Sequence, residues 1–370
     1  MYHAGVSLTP QSSKSETTIG PNTDEKPKKQ DVLNFSPQIM FRYSFSKQHT
    51  LMLRYRGRSS APNIDYLQEV IDQTNPNKIQ YGNPNLKPSF SHNIMVFYNK
   101  YVPESMRSYA FNMFYTNTQN AVTDIVTYYE NSSQSSRKGN VNGNWSARGF
   151  FSFNTPLKNR KYTISSNTNA NYNNSVSYTR NGEEPELSTT RSLRLGEKLT
   201  GNYRTDLFDI SLNAAINYNV ARNNKQTNSN RETFDYNFGG NINFNLPMQF
   251  YLSTDVNYHI AKGYGEGFSN NEVIWNAQIS KNILKNNAGT IRFKIYDILQ
   301  QQSNLSRSIS NNKISDTQYN TLGSYFMVHF VYRFNTLGGK APRRSGGFDV
   351  ERRGPGGRGP GGPPGGGRPF

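Results

Sequence analysis

A chain of 370 residues with no cysteine and a formal net charge of +17 excludes a disulfide framework, a thiolate-held zinc or iron–sulfur site and a thiol nucleophile. Only 34% of it is hydrophobic, yet 24 Tyr and 22 Phe stand against 18% charged residues, which excludes an ordinary disordered chain, poor in aromatics and rich in charge. About one residue in eight is Asn, and no run of ~18 apolar residues exists that could form a spanning helix.

Met1 to Leu8 carries no basic segment followed by an apolar stretch, and it reads as the middle of a strand. It therefore predicts either a cell-internal protein or a piece of a longer chain whose signal peptide went with its N-terminal part. Period-two alternation dominates from Tyr2 to Phe334. In Phe208 to Tyr218, Phe208, Ile210, Leu212, Ala214, Ile216 and Tyr218 oppose Asp209, Ser211, Asn213 and Asn217. In Phe234 to Leu246, Phe234, Tyr236, Phe238, Ile242, Phe244 and Leu246 oppose Asp235, Asn237, Asn241, Asn243 and Asn245. From Phe250 to Ile260 the apolar set, with Thr254, opposes Tyr251, Ser253, Asp255, Asn257 and His259. At ~3.3 Å per residue and ~40° tilt that segment covers roughly 28 Å, close to the ~25 Å apolar band of an outer-membrane barrel. Phe326, Val328, Phe330, Tyr332 and Phe334 form a last such face. Asn is disfavoured in packed strands, so a face lined with it meets water.

Short connectors at Ser46–Gln48, Tyr101–Met106, Thr155–Arg160, Arg204–Asp206, Leu246–Gln249 and Leu284–Ala288 alternate with longer polar loops. The long loops are Pro10–Asp31, Ser59–Ser89, Asn223–Asn230, Gly263–Asn270 and Asn304–Asp316. This is the pattern of a barrel with tight periplasmic turns on one rim and extracellular loops on the other. The reading predicts an all-β fold, an antiparallel transmembrane β-barrel of about fourteen strands with both ends on the periplasmic rim. Segments of roughly 10 to 16 residues favour it over a soluble sandwich, whose strands centre on about 5 or 6. Residues 1–336 form the barrel portion. Residues 337–370, Gly-, Pro- and Arg-rich with seven Lys and Arg against two Asp and Glu, form a disordered tail.

Gly82-Asn83-Pro84-Asn85-Leu86-Lys87-Pro88 resembles the GNPxLKPE signature of the outer-membrane β-barrels common in Bacteroidota and related to TonB-dependent receptors, with Ser89 in place of the usual Glu. Phe35 to Tyr55 resembles the family's paired strands before an Arg-rich, Pro-containing loop, here Arg54 to Pro62. Ile295-Tyr296-Asp297-Ile298-Leu299 and the strand ending Tyr332-Arg333-Phe334 are similar to its closing hairpin. The resemblance implies a plug and around twenty-two strands in a whole member. It thus implies that this chain is the C-terminal part of a larger barrel. It also implies transport or reception of a solute across the outer membrane, without catalysis. The second reading is a structural, adhesion or porin-like barrel without TonB coupling.

His3, His49, His92, His259 and His329 are scattered without ligand spacing, so no metal or other cofactor is expected. Gly354 to Gly359 matches GxGxxG, but no strand precedes it and its prolines forbid a helix start. Glu183 and Glu184 fall in a loop, as solvated charges. Arg42, Arg54, Arg56, Arg292, Lys294 and Arg333 lie opposite apolar residues, so a barrel projects them inward, to meet anionic solutes or to be satisfied by neighbouring acids. Within Ser59–Ser89, the best candidate for ligand or partner contact, Ile64 to Ile71 fits a short amphipathic helix. Tyr98, Tyr101, Tyr128, Tyr129, Tyr178 and Trp275 read as interface aromatics. Expected partners are outer-membrane lipid and lipopolysaccharide, with a TonB-type energiser or a surface lipoprotein reached through regions outside this sequence. Nucleic-acid binding through the Arg/Gly tail is the remote alternative, because interleaved aromatic platforms are missing.

Overall fold

The computed structural model describes residues 1–15, 28–67, 70–72, 75, 77–129, 133–157, 159–180, 185–225, 230–265, 271–284, 287–303, 305–310, 313–320 and 322–333. Twenty strands carry its regular structure. They are β1 Tyr2–Ser15, β2 Lys28–Ser46, β3 His49–Ser60, β4 Val70–Asp72, β5 Lys78–Tyr81, β6 Ser89–Val102 and β7 Arg107–Gln119. There follow β8 Ala121–Tyr128, β9 Gln134–Val141, β10 Asn144–Pro156, β11 Tyr162–Arg180, β12 Glu186–Arg204, β13 Phe208–Asn223 and β14 Arg231–Leu246. The last are β15 Phe250–Lys262, β16 Glu272–Ile283, β17 Gly289–Tyr296, β18 Leu305–Ser310, β19 Lys313–Gln318 and β20 Tyr325–Tyr332. Among the described residues there is no α-helix, and so none long and apolar enough to cross a membrane.

Eighteen strands share one sheet, and setting aside the short β4, β5, β8 and β9 leaves a fourteen-strand antiparallel meander. It runs β1-β2-β3-β6-β7-β10-β11-β12-β13-β14-β15-β16-β17-β20. All six short connectors expected from the sequence fall on one rim, which also carries the start of β1. Among the described residues β1 pairs with β2, and no register joins it to β20.

Residues paired directly across an antiparallel ladder share a face, so the registers divide the meander into two surfaces. One is apolar, with Leu53, Phe111, Leu199, Leu212, Phe238, Leu252, Ile279 and Phe293 left exposed on it. The other carries Asn, Ser and Thr, hydrogen-bonded across strands as in Ser253 to Asn243 (2.6 Å) and Ser152 to Asn167 (2.9 Å). Aromatic rings bound the apolar surface above and below. Near the short-turn rim Tyr162, Tyr203, Phe208 and Phe244 follow one another with centroids 4.4, 5.6 and 6.1 Å apart. Towards the other rim Trp145 stacks on Tyr172 (4.9 Å) and Tyr218 meets Phe234 (4.8 Å). Tyr162 to Tyr172, Phe208 to Tyr218 and Phe244 to Phe234 are each ten residues. That interval is roughly 25 Å along the membrane normal, the height of an outer-membrane apolar band. Of the expected interface aromatics, Tyr98 and Trp275 share the apolar face. Tyr101 pairs with Ser108 on the polar one.

The sheet has no packed interior. The four buried apolar side chains among the described residues, Leu67, Leu86, Val141 and Val176, lie towards the long-loop rim. There the chain turns at Asn120 (φ 51°) and Gly143 (φ 101°), and the intervening β8–β9 hairpin folds over, with β5 running parallel to β9 and β8 parallel to the end of β11.

Several expected loops are ordered differently. Residues 10–15 and 28–31 continue β1 and β2, because Ser, Lys and Gln still satisfy a two-residue ladder once its partner is present. Residues 305–310 and 313–318 pair as the antiparallel strands β18 and β19 rather than lying in an open loop. The expected helix from Ile64 to Ile71 is instead one 3-10 turn, Ile64–Leu67, followed by β4, since a single buried residue, Leu67, anchors it. Glu183, Glu184 and the tail 337–370 lie outside the described residues.

Candidate solute-contact face

The polar face is not electrostatically uniform. Following the registers from β1 to β12, its charged side chains among the described ones are Arg42, Arg54, Arg56, Arg58, Arg148, Arg194, Lys198 and Arg204, with a single carboxylate, Glu186, at the long-loop end of β12, where it pairs with Lys225 at 2.7 Å. The next acid is Asp209 on β13, at the short-turn rim, which takes Arg204 in an ion pair at 2.8 Å. Beyond it come Asp235, Asp255 and Glu272 on β14, β15 and β16. Among the described residues Arg42, Arg54, Arg56, Arg58, Arg148 and Arg194 have no carboxylate within ion-pair distance.

The basic half is interleaved with apolar side chains in transverse rows. One row reads Met40, Arg54, Met95, Phe114, Arg148, Asn171 and Arg194 across β2, β3, β6, β7, β10, β11 and β12. The next, two residues nearer the short-turn rim on β2, reads Arg42, Met52, Phe97, Asn112, Phe150, Asn169 and Gly196. Phe97 and Phe114 link the rows edge to face at 5.4 Å. Gly196 has a packing reason: a Cβ there would meet the amides of Asn169 and Asn217 at 2.5 and 2.8 Å.

Arg42, Arg54 and Arg56 are thus brought together on neighbouring strands. Arg292 and Lys294 share the polar face but sit on β17, Lys294 over the Tyr296 ring at 4.1 Å. Arg333 lies past the end of β20. Arg58, Arg148 and Arg194 were missed by the sequence reading, although the signal was present. Arg148 alternates with Trp145, Ala147, Gly149 and Phe151, and Arg194 with Leu193 and Leu195.

The acidic half ends in a hydrogen-bonded cluster. His259 Nδ1 lies 2.9 Å from Asn237 Oδ1, and the Tyr264 hydroxyl donates to the Asp235 carboxylate, its oxygen 2.9 and 3.0 Å from the two Asp235 oxygens. Burial, reinforced by the Asp235 charge, pushes the Tyr264 phenol up to about 12. Arg307 donates to the Tyr264 carbonyl and to both oxygens of Asp316, each at 2.7 Å, tying the loop after β15 to the β18–β19 hairpin. That pairing holds the Asp316 carboxyl below the usual carboxylate range. Asp297 (φ 46°), almost fully buried, accepts from the Gln301 and Gln302 backbone N–H groups at 3.0 and 2.9 Å, so the Ile295 to Leu299 stretch works as a turn clamp.

Residues 82–88 also have a structural part. Asn83 donates to the Lys138 carbonyl (3.0 Å) and accepts from the Asn85 N–H (2.9 Å). Asn140 accepts from the Lys87 N–H (2.8 Å) and donates to the Lys87 carbonyl (3.0 Å), while Leu86 is buried. Lys138 lies 4.5 Å over the Tyr66 ring and pairs with Asp124 at 2.8 Å. The motif therefore fastens the long β3–β6 loop to β9. Among the described residues no group of three or more His, Cys, Asp or Glu could hold a metal ion.

A family model described as "Outer membrane protein beta-barrel family" matches residues 12–332. A search of curated proteins found no match. Among solved structures the chain is similar to OmpT, an outer membrane protein of Vibrio cholerae solved in trimer form, at 6% identity and a TM-score of 0.33 over 90% of this chain and 98% of that one. At that score the likeness bears on neither mechanism nor assembly.

Proposed function

From the premise that the chain belongs to the outer membrane protein β-barrel family, and so resides in the outer membrane, we propose that it carries or receives a solute there, as a non-catalytic barrel of the TonB-dependent receptor type. The observation that carries this reading is the basic half of the polar face. Six arginines without carboxylate partners project there, three of them, Arg42, Arg54 and Arg148, beside Met and Phe side chains, on a surface whose opposite side is an apolar belt. Uncompensated charge on a water-facing wall concentrates solutes of opposite sign and speeds their encounter. A purely structural wall gains nothing from leaving six arginines without carboxylate partners across eight strands. The stretch 82–88, which resembles the receptor signature, favours the TonB-dependent type over a porin-like barrel.

The test is uptake in cells producing the protein, with and without the inner-membrane proton gradient. Solute uptake that collapses when the gradient is dissipated is the expected result. Uptake that continues unchanged identifies a porin-like pore instead, and no uptake of any anionic, neutral or cationic solute would overturn the transport reading altogether.

A further inference from the structure

Resting on the transport reading, and naming its substrate class, we propose that the row Arg54–Met95–Phe114–Arg148 binds a rigid dianion whose two charged ends are joined by a flat apolar body. The direct register pairs Arg54 with Met95, Met95 with Phe114 and Phe114 with Arg148. With strands ~4.8 Å apart, the two arginine Cα atoms stand three strand spacings, roughly 14 Å, from each other. Each guanidinium presents a planar fork that matches a carboxylate or phosphate bidentately, and none of the described acids occupies either fork. Between them Met95 and Phe114 form a short apolar bed, extended sideways by Phe97 at 5.4 Å from Phe114. Met and Phe are half-buried or exposed there, on the face otherwise given to Asn, Ser and Thr. An apolar side chain on a wet wall is uncovered unless something flat lies over it, and the thioether and ring suit an aromatic body.

The neighbouring pair in the same row differs in the element that decides between ligands. Arg148 and Arg194 are separated by Asn171, a hydrogen-bonding residue, so that stretch offers no apolar bed. A single anion would use one arginine only and leave the bed empty. A neutral sugar would offer neither fork a bidentate anion. The spacing and the bed together select a dianion with an aromatic or similarly flat linker.

The experiment is calorimetric titration of the full chain, folded in detergent micelles and checked by its heat-modifiable migration on gels. The probes are biphenyl dicarboxylate, the neutral biphenyl dimethanol and benzoate. The dicarboxylate is expected to bind, and the diol and benzoate to bind at least about tenfold more weakly. Arg54→Gln and Arg148→Gln should each weaken dicarboxylate binding about ten- to a hundredfold. Arg148→Lys should recover part of that loss, and Arg292→Gln, on β17, should leave affinity unchanged. Equal binding of the diol, or undiminished binding by both glutamine variants in folded form, overturns the site. A protein that binds the dicarboxylate but moves no solute in the uptake assay overturns the transport reading and leaves the site standing. One that transports yet ignores the dicarboxylate does the reverse.

Discussion

The two faces make opposite demands on a single side chain. Phe238, exposed on the apolar face near the middle of β14, should not tolerate arginine: Phe238→Arg is expected to cost about 2–4 kcal/mol in a bilayer. Asn217→Arg, on the polar face opposite Asp235, should cost far less. Urea midpoints in lipid vesicles measure both, and equal losses would refute the assigned register. Glu197 is a carboxylate on the apolar face. It pairs with Thr168, six residues from Tyr162 and four from Tyr172, hence near mid-belt, and it accepts from Ser166 and Thr168 hydroxyls at 2.6 and 2.5 Å. Two donors satisfy the carboxylate without recovering the cost of placing it in lipid. Glu197→Leu is therefore expected to keep or raise stability, by up to roughly 1–2 kcal/mol, whereas Ser166→Ala with Thr168→Ala should lower it by about 1–3 kcal/mol in the same assay.

Strands and rims were legible in the sequence because alternation and connector length are local signals. The six short turns and a count of about fourteen came from them, and both match the meander. The β8–β9 and β18–β19 hairpins were not legible. Thr123, Ser135 and Ser308 pattern like loop residues, and the distant contacts that hold their hairpins, β5 and the end of β11 beside β8–β9 and the Tyr264 carbonyl on Arg307, lie outside any one sequence window. Half of the candidate face was read in the same way. Arg42, Arg54 and Arg56 show in one strand pair, but the rows that set Phe114 beside Arg148 exist only across strands. Asn83 is the hinge pin of the long loop. Asn83→Ala should remove its two bonds and make the loop cleavable by trypsin at Lys78, at a local cost of about 1–3 kcal/mol and with the global unfolding midpoint unchanged. The β18–β19 hairpin should be acid-sensitive at one place. Asp316 titrates below its unfolded value because Arg307 donates to it, so its contribution is present above ~pH 4 and fades as pH falls through the depressed value. Amide protection in 305–310 and 313–318, corrected for the intrinsic pH dependence of exchange, should therefore stay high at mildly acidic pH and fall below it, while Asp316→Asn should show one protection factor throughout.

For the whole sheet, the ten-residue interval between aromatic rows fixes the membrane it suits. Folding yield, scored by heat-modifiable migration, should be highest in bilayers with a core near ~25 Å and fall as acyl chains lengthen. Equal yields across the series would dissociate the rings from the lipid boundary. The same interval leaves β11 and β12, nineteen residues each, with strand to spare. Beyond Tyr172 and its partner Leu193 the ladder continues for seven more residues of β12, about 18 Å past the apolar band. There Asn223 donates to Ser188 and Thr190 at 3.0 and 2.7 Å and is itself buried. On the long-loop rim this part of the molecule is thus a stiff pleated wall in place of pliable loops. Antibodies or phages that grip it would read residues from adjacent strands at once, an epitope that vanishes when the protein is boiled.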